Sequence, residues 1–483
     1  MITASRMAAV DRNAAALGVT QSQLMESAGN AVAREVRAVA DPGDEVVLVC
    51  GRGNNGGDAM AAARFLDAVE ATVLLLGRPE SISTDVAREN WDALVAAEFD
   101  ARTVTDSADV ADALGDPDVV VDAMLGTGVT GALREPEATA ATRINESGAT
   151  VLAVDVPSGV DADTGEAAGV AVEADRVVTF HDEKPGLAAL DAAVTVADIG
   201  IPGAAETFVG PGDLLALTRD PQSHKGDHGE VLVVGGGPYT GAPALAAQAA
   251  LRAGGDLVRV AVPDAIAREV QGYSEDLILR PFAGDRLSPD HVPELRSLAA
   301  DHDAVVFGPG LGDDPETLAA VADFLTGYGG RAVVDADALR VVPEVETEAA
   351  LVCTPHQGEL REMGGETSSD WRERADLVAD FAADLGHALL VKGAYDVVTD
   401  GERTRVNRTG NPGMTVGGTG DVLAGAVGAL LASRDPRLDP LDAAAVGAYA
   451  NGRAGDAVVD EQGYGLVATD LPRALPRALW GER

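Results

Sequence analysis

Lysine is almost missing from this chain. Only Lys184, Lys225 and Lys392 occur among 483 residues, and arginine supplies the rest of the 36 basic side chains. Cysteine is scarcer still. Cys50 and Cys353 each close an apolar run, which predicts buried thiols and excludes a disulfide scaffold. No uncharged apolar stretch is long enough to span a bilayer, so no membrane helix is expected. The first residues carry an acid early and lack an uninterrupted apolar segment, which argues against a secretory signal and for a cytoplasmic protein. No internal repeat of solenoid period is visible. Positive charge is short everywhere: the net charge is −42 and the pI is near 4.3. That excludes the basic footprint of nucleic-acid binding. The acids are dispersed and form no tail, which predicts a halophilic surface whose self-repulsion is screened in concentrated salt. Phosphate-bearing ligands must then be held by backbone amides more than by cations.

What is present is α/β. The length exceeds one ordinary core, and 46% hydrophobic residues with 56 glycines suit close packing. From Glu45, β-branched runs alternate with alanine-rich helical stretches: 45–51, 71–76, 118–125, 150–156 and 175–180. Continuous apolarity marks strands covered on both faces, so a doubly wound parallel sheet is expected. The pattern relaxes over 209–229, rich in glycine and proline, and a second series follows at 230–236, 256–262, 303–310, 331–339 and 388–394. Two α/β domains are predicted, 1–212 and 213–483.

In the first half, GRGNNGGD (Gly51 to Asp58) joins a strand to a helix, where glycines let backbone approach a ligand and free amides suit phosphate. It lacks the spacing of a dinucleotide fingerprint, which disfavours an ordinary dehydrogenase. VDAMLGTGVTGA (Val121 to Ala132) and DVPSGVDADTG (Asp155 to Gly165) follow two further strands. Ligands of open parallel sheets bind at such strand ends. Asn55, Asp122 and Ser158 offer an amide, a carboxylate and a hydroxyl, a hard-oxygen set suited to a weakly held cation. Asp155 is either an acid/base group or a turn cap.

These motifs, with LMESAG (Leu24 to Gly29) and TFHDEKPGL (Thr179 to Leu187), resemble the NAD(P)H-hydrate epimerase domain. The resemblance implies a Rossmann-like fold. It implies that Asn54, Asn55, Gly56, Gly57 and Asp58, with Gly126, Thr127, Gly128, Val129, Thr130, Gly131 and Ala132, cradle the hydrated nucleotide. Asp155 would act at the reacting ring, and Asn55, Asp122 and Ser158 would hold potassium. Ala59 departs from the family's usual glycine, a small change with which function is expected to survive.

In the second half, GNPGMTVGGTGD (Gly410 to Asp421) runs into an alanine-rich helix. Amides of Gly418, Thr419 and Gly420 can face phosphate charge, and Asp421 can deprotonate a hydroxyl. This resembles the anion hole and catalytic aspartate of ribokinase-like enzymes. KGDHG, GAPALAAQAALRAGGDLV, GPGLG, DADAL, TPHQGEL and VKGAYD, in that order, resemble the NAD(P)H-hydrate dehydratase domain. By that resemblance Ala242, Gly310, His356, Gln357, Gly358, Glu359, Leu360, Arg361 and Glu362 line the hydrated dinucleotide, with Asp421 at its hydroxyl. Lys392, Gly393, Ala394, Tyr395 and Asp396, with Asn411, Pro412, Gly413, Met414, Thr415, Val416, Gly417, Gly418, Thr419 and Gly420, would hold the adenosine nucleotide.

The resemblance implies a multifunctional isomerase and lyase. It would interconvert the R and S forms of hydrated NADH and NADPH and dehydrate the S form at the expense of ADP, forming AMP and phosphate. Potassium and magnesium are the expected ions, and a homo-oligomer is the expected assembly. A competing reading is a ribokinase-like kinase of a vitamin precursor fused to a nucleotide-binding scaffold. It predicts a stable phosphorylated product and leaves the first half without a task.

Overall fold

The computed structural model describes residues 1–128 and 130–481. Val129, one of the expected nucleotide contacts, and the terminal Glu482 and Arg483 lie outside the described residues. Two compact units divide between Ala205 and Glu206. Residues 206–212, expected with the first half, therefore belong to the second. The amide of Val209 donates to Val406 O at 3.0 Å, and Asp213 forms a buried ion pair with Arg405 at 2.6 Å.

The first unit is built on seven strands: β1 Glu45–Cys50, β2 Glu70–Leu76, β3 Asp100–Val104, β4 Val119–Ala123, β5 Thr150–Val154, β6 Arg176–Phe180 and β7 Ala193–Ala197. All pair in parallel in the order β3-β2-β1-β4-β5-β6-β7, with Val46 beside Val119 and Val119 beside Thr150. The chain winds outward in both directions from β1 and β4, so their carboxyl ends form the crevice where such sheets bind ligands. Helices cover both faces. Gln21–Arg37 starts from a Thr20–Gln23 capping box and turns Leu24, Met25, Ala28, Val32 and Val36 into the core. The edge strands β3 and β7 escape an apolar-run reading, because one face of each is wet and their residues are mixed.

The second unit has nine strands: β8 Glu230–Val234, β9 Leu257–Ala261, β10 Ile278–Leu279, β11 Ala304–Phe307, β12 Arg331–Val334, β13 Ala350–Cys353, β14 Ala388–Val391, β15 Asp396–Thr399 and β16 Thr404–Asn407. Their order is β10-β9-β8-β11-β12-β13-β14-β15-β16. The switch point falls between β8 and β11. Only β15 and β16 run antiparallel to their neighbours. The helix Thr419–Ala432 is buried nearly all round. It fits because Gly425 and Gly428 have no side chain: a Cβ would meet Ala246 O at 2.0 Å and Val306 Cγ2 at 2.2 Å. Both cysteines are buried free thiols, and burial alone pushes the Cys353 thiol up to about 12. No helix among the described residues is long and apolar enough to cross a membrane.

Candidate active sites

At the first switch point the backbones leaving β1 and β4 touch. A Cβ on Gly51 would lie 1.8 Å from Met124 O, and one on Gly56 would lie 2.1 Å from Gly51 O, so both positions require glycine. The tight turn lets the helix Asn54–Ala63 begin with its free amides at the crevice. A cavity of about 600 Å³ opens there, lined by Asn54, Asn55, Asp58, Gly126, Thr127 and Asp155 among others.

Asp155 follows β5 and holds a left-handed backbone, φ 66°, a strained conformation for a residue with a Cβ. Its carboxylate accepts from the Thr127 amide at 3.3 Å and from Thr179 Oγ1 at 3.1 Å, and it meets Lys184 Nζ at 2.9 Å. Lys184 is buried completely. Its ammonium also donates to Thr179 Oγ1 at 2.9 Å, Phe180 O at 2.8 Å and Asp182 O at 3.2 Å. A buried ammonium needs such a set of acceptors to offset its lost hydration.

Asp122, wholly buried, accepts from Ser158 Oγ and from the Ser158 amide, both at 2.7 Å, and from the Met124 amide at 3.2 Å. Burial pushes its carboxyl up to about 6 against the pull of those bonds. Asn55 packs beside Gly126, and its buried Nδ2 has no partner among the described residues. Thus Asp122 and Ser158 are in direct contact, and Asn55 flanks the same loop. The donor set fits a monovalent cation. Among the described residues no group of three His, Cys, Asp or Glu side chains is arranged for a metal.

In the second unit the glycine-rich stretch ends on Gly418, φ 95°, the residue that caps the helix carrying Asp421 in its first turn. Lys392 follows β14, and its Nζ lies 3.3 Å from where a Gly420 Cβ would be. Lys392 pairs with Asp335 Oδ1 at 3.1 Å and lies 3.7 Å from Glu359 Oε2. Asp335 also accepts from Thr354 Oγ1 at 2.7 Å. No hydrogen bond or ion pair engages the Asp421 carboxyl among the described residues. Burial, then the charges of Asp335 and Glu359, push it up to about 7, while Lys392 pulls it down.

Several expected contacts are spent on loop shape. His356 caps the helix Gln357–Glu362, its Nδ1 accepting the Glu359 amide at 2.9 Å. Asp396 accepts from the Gly393 amide at 2.8 Å and Asn407 Nδ2 at 2.9 Å. Asn411 accepts the Gly413 amide and donates to Asp456. Ala242 and Gly310 meet at the β8/β11 switch point, where a Gly310 Cβ would lie 3.1 Å from Ala242 Cβ.

Comparisons with known proteins follow this geometry. Over 499 aligned residues the chain is 46% identical to the bifunctional NAD(P)H-hydrate repair enzyme Nnr of Pyrobaculum aerophilum, covering 99% of this chain and 98% of that one. It is 43% identical to the enzyme of the same name from Archaeoglobus fulgidus, covering 99% and 98%. The chain belongs to the bifunctional NAD(P)H-hydrate repair enzyme family. Residues 231–477 match the family model for NAD(P)H-hydrate dehydratase, and residues 21–186 match that for the YjeF-related protein N-terminus. A ribokinase-like superfamily protein of Enterococcus faecalis aligns with 56% of this chain and 95% of its own, at a TM-score of 0.50 and 22% identity, a likeness of fold.

Within this family member, Lys184, Asp335 and Asp11 are among the polar residues of the two sites to which the motifs assign no role. Lys184 and Asp335 stood inside noted motifs, and the rarity of lysine was the available signal for the first. Asp11 lies on an ordinary amphipathic helix, Ala4–Ala16, and lines the first cavity. Nothing local marks it.

Proposed function

We propose that the first unit epimerises hydrated NADH and NADPH and that the second dehydrates the S epimer with ADP as phosphoryl donor. The carrying observation is Asp421: an unpaired carboxyl in the first turn of a helix, beside Lys392, pushed up to about 7. A base poised near neutrality serves proton abstraction best.

Hydration leaves a hydroxyl on the nicotinamide ring, a poor leaving group. Asp421 takes the hydroxyl proton as the oxygen attacks the terminal phosphorus of ADP. The amides of Gly418, Thr419 and Gly420 and the Lys392 ammonium face the transferring charge. The C–O bond then breaks, phosphate leaves with the bonding pair, and loss of a neighbouring ring proton restores the dihydropyridine. AMP and phosphate are the by-products. Magnesium, when bound, would neutralise phosphate charge on the nucleotide.

In the first unit the start of the helix Asn54–Ala63 and residues 126–128 and 130–132 hold the nucleotide's phosphates through backbone amides, the expectation for a chain this acidic. Asn55, Asp122 and Ser158 would hold potassium, which ties those loops together. Asp155 exchanges the proton at the ring. Joining both activities in one chain lets the dehydratase reach material that starts in the other configuration.

The test is incubation of hydrated NADH of mixed stereochemistry with ADP. Return of dihydropyridine absorbance with release of phosphate supports the proposal. A stable phosphorylated product without NADH recovery would favour the kinase reading.

A further inference from the structure

Asp155 is one of three carboxylates on the first cavity. Asp58 reaches it from the helix Asn54–Ala63, and Asp11 from the helix Ala4–Ala16. The environments of Asp155 and Asp58 differ sharply. Asp155 has the Lys184 ammonium at 2.9 Å and two further hydrogen-bond donors. Among the described residues, no ion pair or hydrogen bond reaches the Asp58 carboxyl. Lys184 cannot serve both, because Thr179, Phe180 and Asp182 hold its ammonium in place. Two carboxylates in one cavity with unlike surroundings divide into acid and base.

Epimerisation needs both. Water added to an enamine double bond leaves its oxygen on the carbon beside the ring nitrogen. That carbon is inverted without redox chemistry when its C–O bond breaks and re-forms from the other face. A proton must reach the departing oxygen while the nitrogen lone pair fills the gap. Water then adds to the opposite face and gives up a proton.

We propose that Asp58 is a second catalytic residue of the first unit, donating the proton that releases the hydroxyl as water, while Lys184 fixes Asp155 as the acceptor. One proton leaves Asp58, one water departs, one water adds, and one proton arrives on Asp155. Water in the open cavity returns that proton to Asp58 before the next turnover. Burial, then the charges of Asp155 and Asp11, push the Asp58 carboxyl well above the usual range, which keeps it protonated. Asp11 itself is pushed up to about 6 by burial and by Asp155, against Lys184 and His181. Arg12 lines the same cavity.

The inference rests on the epimerase reading, and the experiment separates the two. Interconversion of hydrated NADH epimers is followed without ADP in the full chain, above the spontaneous rate. Asp58→Asn should slow it by roughly 10²–10⁴. ADP-dependent dehydration of the S epimer should stay near wild type, which shows that the chain is folded. In Asp11→Asn the alkaline limb of the pH profile should move to lower pH, because one charge raising Asp58 is gone. Epimerisation at the wild-type rate in Asp58→Asn overturns the inference alone. So does an unmoved alkaline limb in Asp11→Asn. Wild-type protein no faster than the spontaneous reaction overturns the epimerase reading with it.

Discussion

Each unit sets a lysine–aspartate pair at the carboxyl edge of its sheet, and the two pairs are used differently. In the first, Lys184 is sealed from solvent and grips Asp155, the residue assigned to the ring. In the second, Lys392 keeps 22% of its side chain exposed and grips Asp335, and Asp421 has no hydrogen-bond or ion-pair partner among the described residues. The difference matters chemically. A paired carboxylate is oriented by its partner, whereas an unpaired buried one is pushed toward neutrality. Under the proposed function, Lys184 would orient a proton-exchanging group, while the exposed side of Lys392 would be available for nucleotide phosphate. A chain with only three lysines places two of them in these pairs.

The largest effect that would break the comparison is at Asp421. Asp421→Asn removes the proposed base but keeps its shape, and dehydration should fall roughly 10²–10⁴. Epimerisation in the same protein should be untouched. Turnover near wild type would remove Asp421 from the mechanism and the contrast with it.

The pH profiles should separate next. The Asp421 carboxyl, pushed up to about 7, must lose its proton to act, so the rate of dehydration should rise as pH passes upward through about 7. Lys392 pulls that value down. Lys392→Met should therefore carry the limb to higher pH and weaken ADP binding more than binding of hydrated NADH. A limb that stays put, or the reverse order of affinities by calorimetry, would mean that Lys392 serves neither role.

The smallest effect concerns the cation. Asp122→Ala removes the acceptor of three hydrogen bonds around Ser158 and Met124. Epimerisation should slow modestly and lose its response to potassium chloride, while dehydration of the S epimer holds. A potassium response equal to wild type would remove the ion from this loop.

Much of this was legible beforehand, for physical reasons. Strands buried on both faces read as apolar runs, so β1, β4 and β5 were found with the loops that follow them. Glycines required by contact, such as Gly51 against Met124 O, marked where backbone crowds a ligand crevice. The antiparallel pair β15–β16 leaves no such signal, because Asp396, Thr399, Thr404, Arg405 and Asn407 interrupt its apolar residues. Asp335 stood in a noted motif, but its bond to Lys392 depends on β12 and β14 lying two strands apart in the finished sheet. Asp11 depends wholly on how its helix packs. The residues 206–212 joined the second unit through a bridge between Phe208 and Val406, a long-range pairing without local signature.

The most direct measurement supplies an equal mixture of R and S hydrated NADH with excess ADP to wild type, Asp155→Asn and Asp421→Asn, correcting for spontaneous epimerisation. Wild type should return all of the dihydropyridine absorbance. Asp155→Asn should return the S share and then stop, and Asp421→Asn should return almost none. Full recovery by Asp155→Asn at the wild-type rate would contradict the account, removing Asp155 from the chemistry of the first unit.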